Sequence, residues 1–155
     1  MRFTEYDADD ADLLEAGRAV VNAVHAAETP WLPQLTAHRW AMDVRYGWDA
    51  SPERHFLAWA DGVPVGVATL ALGEWDNRDL AWVYLYVHPE HRRRGHGSAF
   101  LTHLLELSSE GAERGCRVEF IQGPRAVERV FELTGALEQL SFVDAASPSV
   151  AATTA

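Results

Sequence analysis

HPEHRRRGHGSAF, residues 88–100, sets three arginines, three histidines and two glycines between two apolar stretches. The run before it, LAWVYLYV at 80–87, is apolar or aromatic throughout. A strand with no polar alternation is buried on both faces, which places it in the middle of a sheet. Pro89 ends that strand. From Gly97 to Arg114 the residues Phe100, Leu101, Leu104, Leu105 and Ala112 then recur at helical spacing. A buried strand, a glycine-containing loop and a helix in direct succession predict an α/β layered domain. Gly95 and Gly97 lack a Cβ, so the backbone there can wrap closely around a ligand. Their N–H groups, with those of Arg93, Arg94, His96 and Ser98, fall at a helix start, where donors lack intrahelical partners and the dipole end is positive. Many donors spread over two turns, with Arg92, Arg93 and Arg94 beside them, suit a diphosphate better than a carboxylate. The alternative is a solvated basic turn that merely caps a helix. The buried strand and the glycine pair argue against it.

The chain as a whole is acidic, with a formal charge of −10 over 155 residues. That charge opposes broad nucleic-acid binding, which needs a positive surface. All thirteen basic residues are arginine, so neither Schiff-base chemistry nor a P-loop lysine is available. The single cysteine, Cys116, allows no internal disulfide and fits a reducing compartment. No apolar run is long enough to span a bilayer, and the start, MRFTEYDADD, is acidic, so a cytoplasmic protein with no membrane partner is expected. His88, His91 and His96 match no common zinc spacing, and no metal is expected.

Upstream, Leu13, Leu14, Val20, Val21 and Val24 recur helically between Asp7 and Glu28, and a second helix is expected over 36–45. Strands are expected at Arg54–Ala60 and Val63–Leu72 about the Asp61-Gly62 turn, a strong hairpin signal. Downstream, a strand at 117–121, a helix at 126–140 and a short strand at 141–143 complete the order α-α-β-β-β-α-β-α-β. Residues 1–145 are expected to form one domain and 146–155 a disordered tail. Trp82, Tyr84 and Tyr86 alternate onto one face of the central strand, where packing is the default role of aromatics. Part of the tryptophan-rich 31–48 segment is a lesser candidate for lining an acceptor pocket.

VHPEHRRRGHGSAFLTHLLE, residues 87–106, resembles motif A of the GNAT superfamily of acetyl-CoA-dependent N-acyltransferases. The pattern Arg/Gln-x-x-Gly-x-Gly/Ala is met by Arg92, Gly95 and Gly97, and the Val-x-Pro lead-in by Val87 and Pro89. The hairpin ADGVPVGVATLAL also resembles that family's, and the likeness covers about residues 1–120. It implies a mixed central sheet with helices on both faces. It also implies acetyl-CoA as cosubstrate, with its pyrophosphate on the amides of residues 92–98. The pantetheine would pair with the strand end at Leu85, Tyr86 and Val87. The backbone N–H of Val87 would take the charge that develops on the thioester oxygen. The implied acceptor is a small-molecule or peptide amine, and a homodimer is compatible with the likeness.

Two departures matter. An acid often begins the strand before motif A in this family, serving as general base. Here Ala81 and Trp82 stand there, leaving Glu74 and Asp79 as general-base candidates. Aligned on Gly135, Phe131 takes the place of the tyrosine that protonates the thiolate, and Ala136 that of a phenylalanine. EFIQGPRAVERVFELTGALEQLSFVDA, residues 119–145, resembles instead the C-terminal strand-helix-strand of STAS domains, the anti-sigma-factor-antagonist fold. A junction is then expected near residues 115–117. The expectation is an N-acetyltransferase with direct transfer from acetyl-CoA to an amine. The alternatives are a non-catalytic acyl-CoA-binding or regulatory module and, behind it, a STAS-like partner-binding protein.

Overall fold

A computed structural model describes residues 1–47, 53–72, 80–109, 115–120 and 140–142. The elements run β1 (Arg2–Tyr6), α1 (Ala11–Glu28), α2 (Ala37–Tyr46), β2 (Glu53–Ala60), β3 (Val63–Leu72) and β4 (Leu80–Val87). A single 3-10 turn (Pro89–His91), α3 (His96–Ser109), β5 (Gly115–Phe120) and β6 (Leu140–Phe142) follow. The six strands lie in one sheet in chain order. β1 to β4 pair antiparallel, while β4–β5 and β5–β6 pair parallel. This is the mixed sheet expected. β4 lies inside it, between β3 and β5, and Val83 at its middle is completely buried.

The expected element order lacked β1. Its five residues, RFTEY, are too short and too polar to stand out beside the helix that follows, and tertiary pairing makes the strand. Alternation sends Phe3 to one face, where it stacks on Phe100 at 5.2 Å and on His103 at 4.3 Å. Tyr6 goes to the other face and is buried under α1. Residues 126–139 of the expected helix and the tail at 146–155 lie outside the described residues, while Leu140, expected to end that helix, begins β6.

Helices cover both faces. Phe100, Leu101 and Leu104 of α3 pack on Phe56, Ala58, Ala68, Leu70 and Val83. Val20 and Val21 of α1 and Val44 of α2 pack on Leu57, Val67 and Tyr86. Gly17 sits inside α1, where glycine costs about 1 kcal/mol against alanine. The close approach explains it: a Cβ there would lie 2.8 Å from the Tyr6 hydroxyl. The α1–α2 connection is pinned by Asn22, whose Oδ1 accepts from the Leu35 N–H at 2.7 Å and whose Nδ2 donates to the Leu35 carbonyl at 3.0 Å. α2 begins on Thr36, whose hydroxyl accepts from the Arg39 N–H at 3.2 Å. Asp61 and Gly62 both have positive φ (52° and 78°), the two-residue hairpin geometry that the Asp-Gly pair predicts.

Candidate functional site

The site is assembled where β4 runs out. Its pairing with β3 continues to Gly66↔Val87, but its pairing with β5 stops at Tyr84↔Glu119. Over Leu85, Tyr86 and Val87 the strand thus keeps its β3 partners and has no β5 partner among the described residues. The His88 N–H donates to the Val65 carbonyl on β3 at 3.0 Å. Alternation along the strand then turns the Val87 N–H the other way, onto the β5 side, beyond the last paired residues. Among the described residues no ladder partner faces it. An open backbone edge of this kind accepts an extended ligand as an added strand.

The loop that follows is shaped by backbone conformation. His88 accepts from the Glu90 N–H through Nδ1 at 3.3 Å and starts the 3-10 turn, with Pro89 at its first position. Arg93 and Gly95 are left-handed, at φ 64° and 81°. The first helical bond of α3 runs from the Ala99 N–H to the Gly95 carbonyl at 3.0 Å, which makes Gly95 the N-cap. The His96 and Gly97 amides thus stand in the first turn, with no carbonyl a turn earlier to receive them. A Cβ on Gly97 would come within 3.3 Å of Val87 Cγ2, so the helix start and the open strand end lie in near contact. Ser98 completes the first turn.

The three loop arginines divide. Arg93 and Arg94 are exposed and meet no carboxylate among the described residues. Arg92 is half-buried and faces inward: its Nε donates to the Val87 carbonyl at 3.0 Å, and its Nη1 lies 2.5 Å from Oε1 of Glu28, the last residue of α1. Its Nη2 is buried with no hydrogen-bond partner among the described residues. Tyr86, on the α1 face of β4, has its phenol pushed up to about 12, first by burial and then by the Glu28 carboxylate. It therefore stays protonated across the neutral range.

Of the residues expected from sequence, the structure brings Leu85, Tyr86, Val87, Gly95, His96, Gly97 and Ser98 to one corner, with Arg93 and Arg94 at its rim. Arg92 reaches the same corner from behind, holding protein rather than facing solvent. Glu74 and Asp79 lie outside the described residues, as do Phe131, Gly135 and Ala136. Glu28 carried no sequence signal, being 64 positions from Arg92 and at the end of an ordinary amphipathic helix. Among the described residues no group of three or more His, Cys, Asp or Glu side chains is arranged to hold a metal. None of the described helices is long and apolar enough to cross a membrane.

A second polar group lies across the sheet, in the row Tyr6↔His55↔Thr69↔Tyr84. His55 Nδ1 is 3.1 Å from the Thr69 hydroxyl, and its Nε2 is 3.8 Å from a Glu53 carboxylate oxygen. Burial pushes its pKa down, opposed by a hydrogen bond with the Val44 backbone. It is buried near α2, in the row that reaches β4 at Tyr84, three residues before that strand ends, so it is a core group.

Comparison with known proteins gives the chain a family. A family model described as "Acetyltransferase (GNAT) family" matches residues 21–128. A mycothiol acetyltransferase of Nocardiopsis dassonvillei is 35% identical over 95 residues, which cover 60% of this chain and 27% of that protein. The chain thus spans about a quarter of that relative. Among solved structures, a tandem GNAT protein from the clavulanic acid biosynthesis pathway superposes with a TM-score of 0.70 at 22% identity, over 86% of this chain and 43% of that one. An aminoglycoside acetyltransferase from an uncultured soil metagenomic sample superposes with a TM-score of 0.65 at 16% identity, over 96% and 95%. At these identities the structures speak for the fold. None of the comparisons supports the STAS-like ending expected for residues 116–145. The matched region runs to residue 128, through the junction expected at 115–117. Strand-helix-strand patterning is shared by many α/β endings, so by itself it does not single out one family.

Proposed function

The chain belongs to the acetyltransferase (GNAT) family, and on that premise we propose that it moves an acetyl group from acetyl-CoA directly to an amine. The observation that carries the reading is the juxtaposition of an open strand edge at Val87 with the first-turn amides of α3. The two lie close together, since a Cβ built on Gly97 would come within 3.3 Å of Val87 Cγ2. The donor set fits the cosubstrate: unpaired His96 and Gly97 amides, the positive end of α3 and two exposed guanidinium groups suit a pyrophosphate. An open strand edge suits the amide-bearing pantetheine. Acetyl-CoA supplies an activated acyl thioester. The Val87 N–H is the donor placed to take charge developing on the acyl oxygen, a contribution that in other enzymes is worth about 3–4 kcal/mol. Thiols have a pKa of about 8.5, so a departing thiolate is a fair leaving group without a dedicated acid.

The names of the similar proteins put mycothiol-related and aminoglycoside amines among the acceptors to try, beside peptide amines. A cytoplasmic location fits the reducing environment that a single-cysteine chain tolerates. The test is calorimetry with acetyl-CoA, together with turnover on that amine panel, for the wild type and Gly95→Glu. Binding with turnover, both lost in the variant, is the expected result. Wild-type binding that Gly95→Glu leaves intact would overturn the placement. Tight binding with no transfer to any amine would favour a non-catalytic acyl-CoA-binding module, the reading to which Phe131 in place of the usual tyrosine lends support.

A further inference from the structure

Arg92 occupies the first position of the motif that marks the anion loop, yet its guanidinium faces the protein and not the loop mouth. One nitrogen holds the Val87 carbonyl at 3.0 Å and another holds Glu28 at 2.5 Å, while the third is buried with no partner among the described residues. A half-buried cation with one idle donor depends on its single carboxylate for charge balance. Among the described residues, Glu28 is the only acid paired with it. Among the described residues Val87 has a strand partner on β3 and none on β5, whose pairing with β4 runs to Tyr84↔Glu119.

We propose that Glu28 is a positioning residue for acetyl transfer, acting through Arg92 to lock the end of β4 and so the direction of the Val87 N–H. This rests on the transferase reading above. The lock runs from the last residue of α1, through the guanidinium, to the strand end, and it ties the helix that covers one face to the amide that serves the reacting carbonyl. Lysine could replace the charge of Arg92. It could not hold Glu28 and Val87 together, since it lacks the fork of separate donors. The device therefore needs arginine, not merely a cation. Glu28 touches no reacting atom and is not a catalytic residue.

Four variants test it: Glu28→Gln, Arg92→Met, Arg92→Lys and the double variant Glu28→Gln/Arg92→Met. Two readouts are taken: steady-state kinetics with acetyl-CoA, and hydrogen exchange of the His88 amide, whose bond to Val65 reports the strand end without any need for activity. Loss of a hydrogen bond to a charged group predicts a kcat lowered about tenfold or more and His88 exchange accelerated by a similar factor. The dissociation constant for acetyl-CoA should rise by less than kcat falls, because the α3 amides that suit the pyrophosphate are untouched. Arg92→Lys should behave as Arg92→Met, and Glu28→Gln should add nothing on the Arg92→Met background. Rescue by Arg92→Lys, additive effects in the double variant, or an unchanged kcat and exchange rate in Glu28→Gln would each overturn the proposal and leave the transferase reading standing. Absence of turnover by the wild type would overturn the transferase reading first, and the positioning role with it.

Discussion

Replacing Gly95 by alanine isolates what the loop contributes, because the new methyl group meets nothing. No atom lies within 4 Å of a Cβ built there, so the whole penalty comes from φ at 81°. A left-handed backbone costs an L-residue roughly 1–2 kcal/mol. The narrower unfolded ensemble of alanine offsets about 0.4–1 kcal/mol of that, leaving a net loss of about 0.5–1.5 kcal/mol. For a domain of this size each kcal/mol moves Tm by roughly 2–4 °C, so the expected fall is about 1–6 °C. The function should suffer more than the fold. A shifted N-cap misdirects first-turn amides, and losing one charge-assisted hydrogen bond lowers acetyl-CoA affinity by about 10–100-fold. Gly62 provides the control: it too is left-handed, at 78°, with nothing within 4 Å, but it sits in the β2–β3 turn. Gly62→Ala should lower Tm by a similar amount and leave affinity unchanged. Differential scanning calorimetry and titration calorimetry on both variants decide the matter. If Gly95→Ala melts with the wild type, the left-handed N-cap is wrong. If both variants lose affinity alike, the effect is general destabilisation and the site argument fails.

Two further outcomes follow from the same geometry. Arg93 is left-handed without being glycine, so Arg93→Gly should raise stability by up to about 1 kcal/mol while weakening acetyl-CoA binding and flattening its salt dependence. Thermal melts and titrations at two ionic strengths check this, and a variant that is both less stable and less salt-sensitive would refute the strain argument. His55 has a folded pKa pushed below its ordinary 6.5 by burial. The unfolded chain therefore takes up the proton first, so its share of stability is complete above about pH 6.5 and is lost as pH falls toward the folded value. Urea unfolding between pH 7.5 and 5, roughly the window in which an ordinary histidine titrates, should show stability falling with acidity. His55→Gln should reduce that slope, and an unchanged slope would mean the loss arises elsewhere.

Much of the site was legible because it is local. The apolar run at 80–87, Pro89 and the glycines at 95 and 97 lie within eighteen residues, and their spacing alone implies a strand, a loop and a helix start. The Asp61-Gly62 hairpin was legible for the same reason: positive φ at both positions is a property of those residues. β1 was not legible, since five mixed residues become a strand only when β2 lies alongside. Nor was the partner of Arg92. A basic loop implies an anion, and only the packing of α1 over β4 brings Glu28 into an ion pair with this arginine.

The ending of the chain shows the opposite limit, since a local pattern there pointed to a family the comparisons do not support. What the sequence determined by itself was therefore the fold class and the strand-loop-helix unit at 80–109, because backbone conformation and hydrophobic periodicity are local quantities. What tertiary structure decided was which donors remain open. Whether an amide or a guanidinium is available depends on where its competing partners end, here Glu119 on β5 and Glu28 on α1, and those positions are set by packing across the sheet.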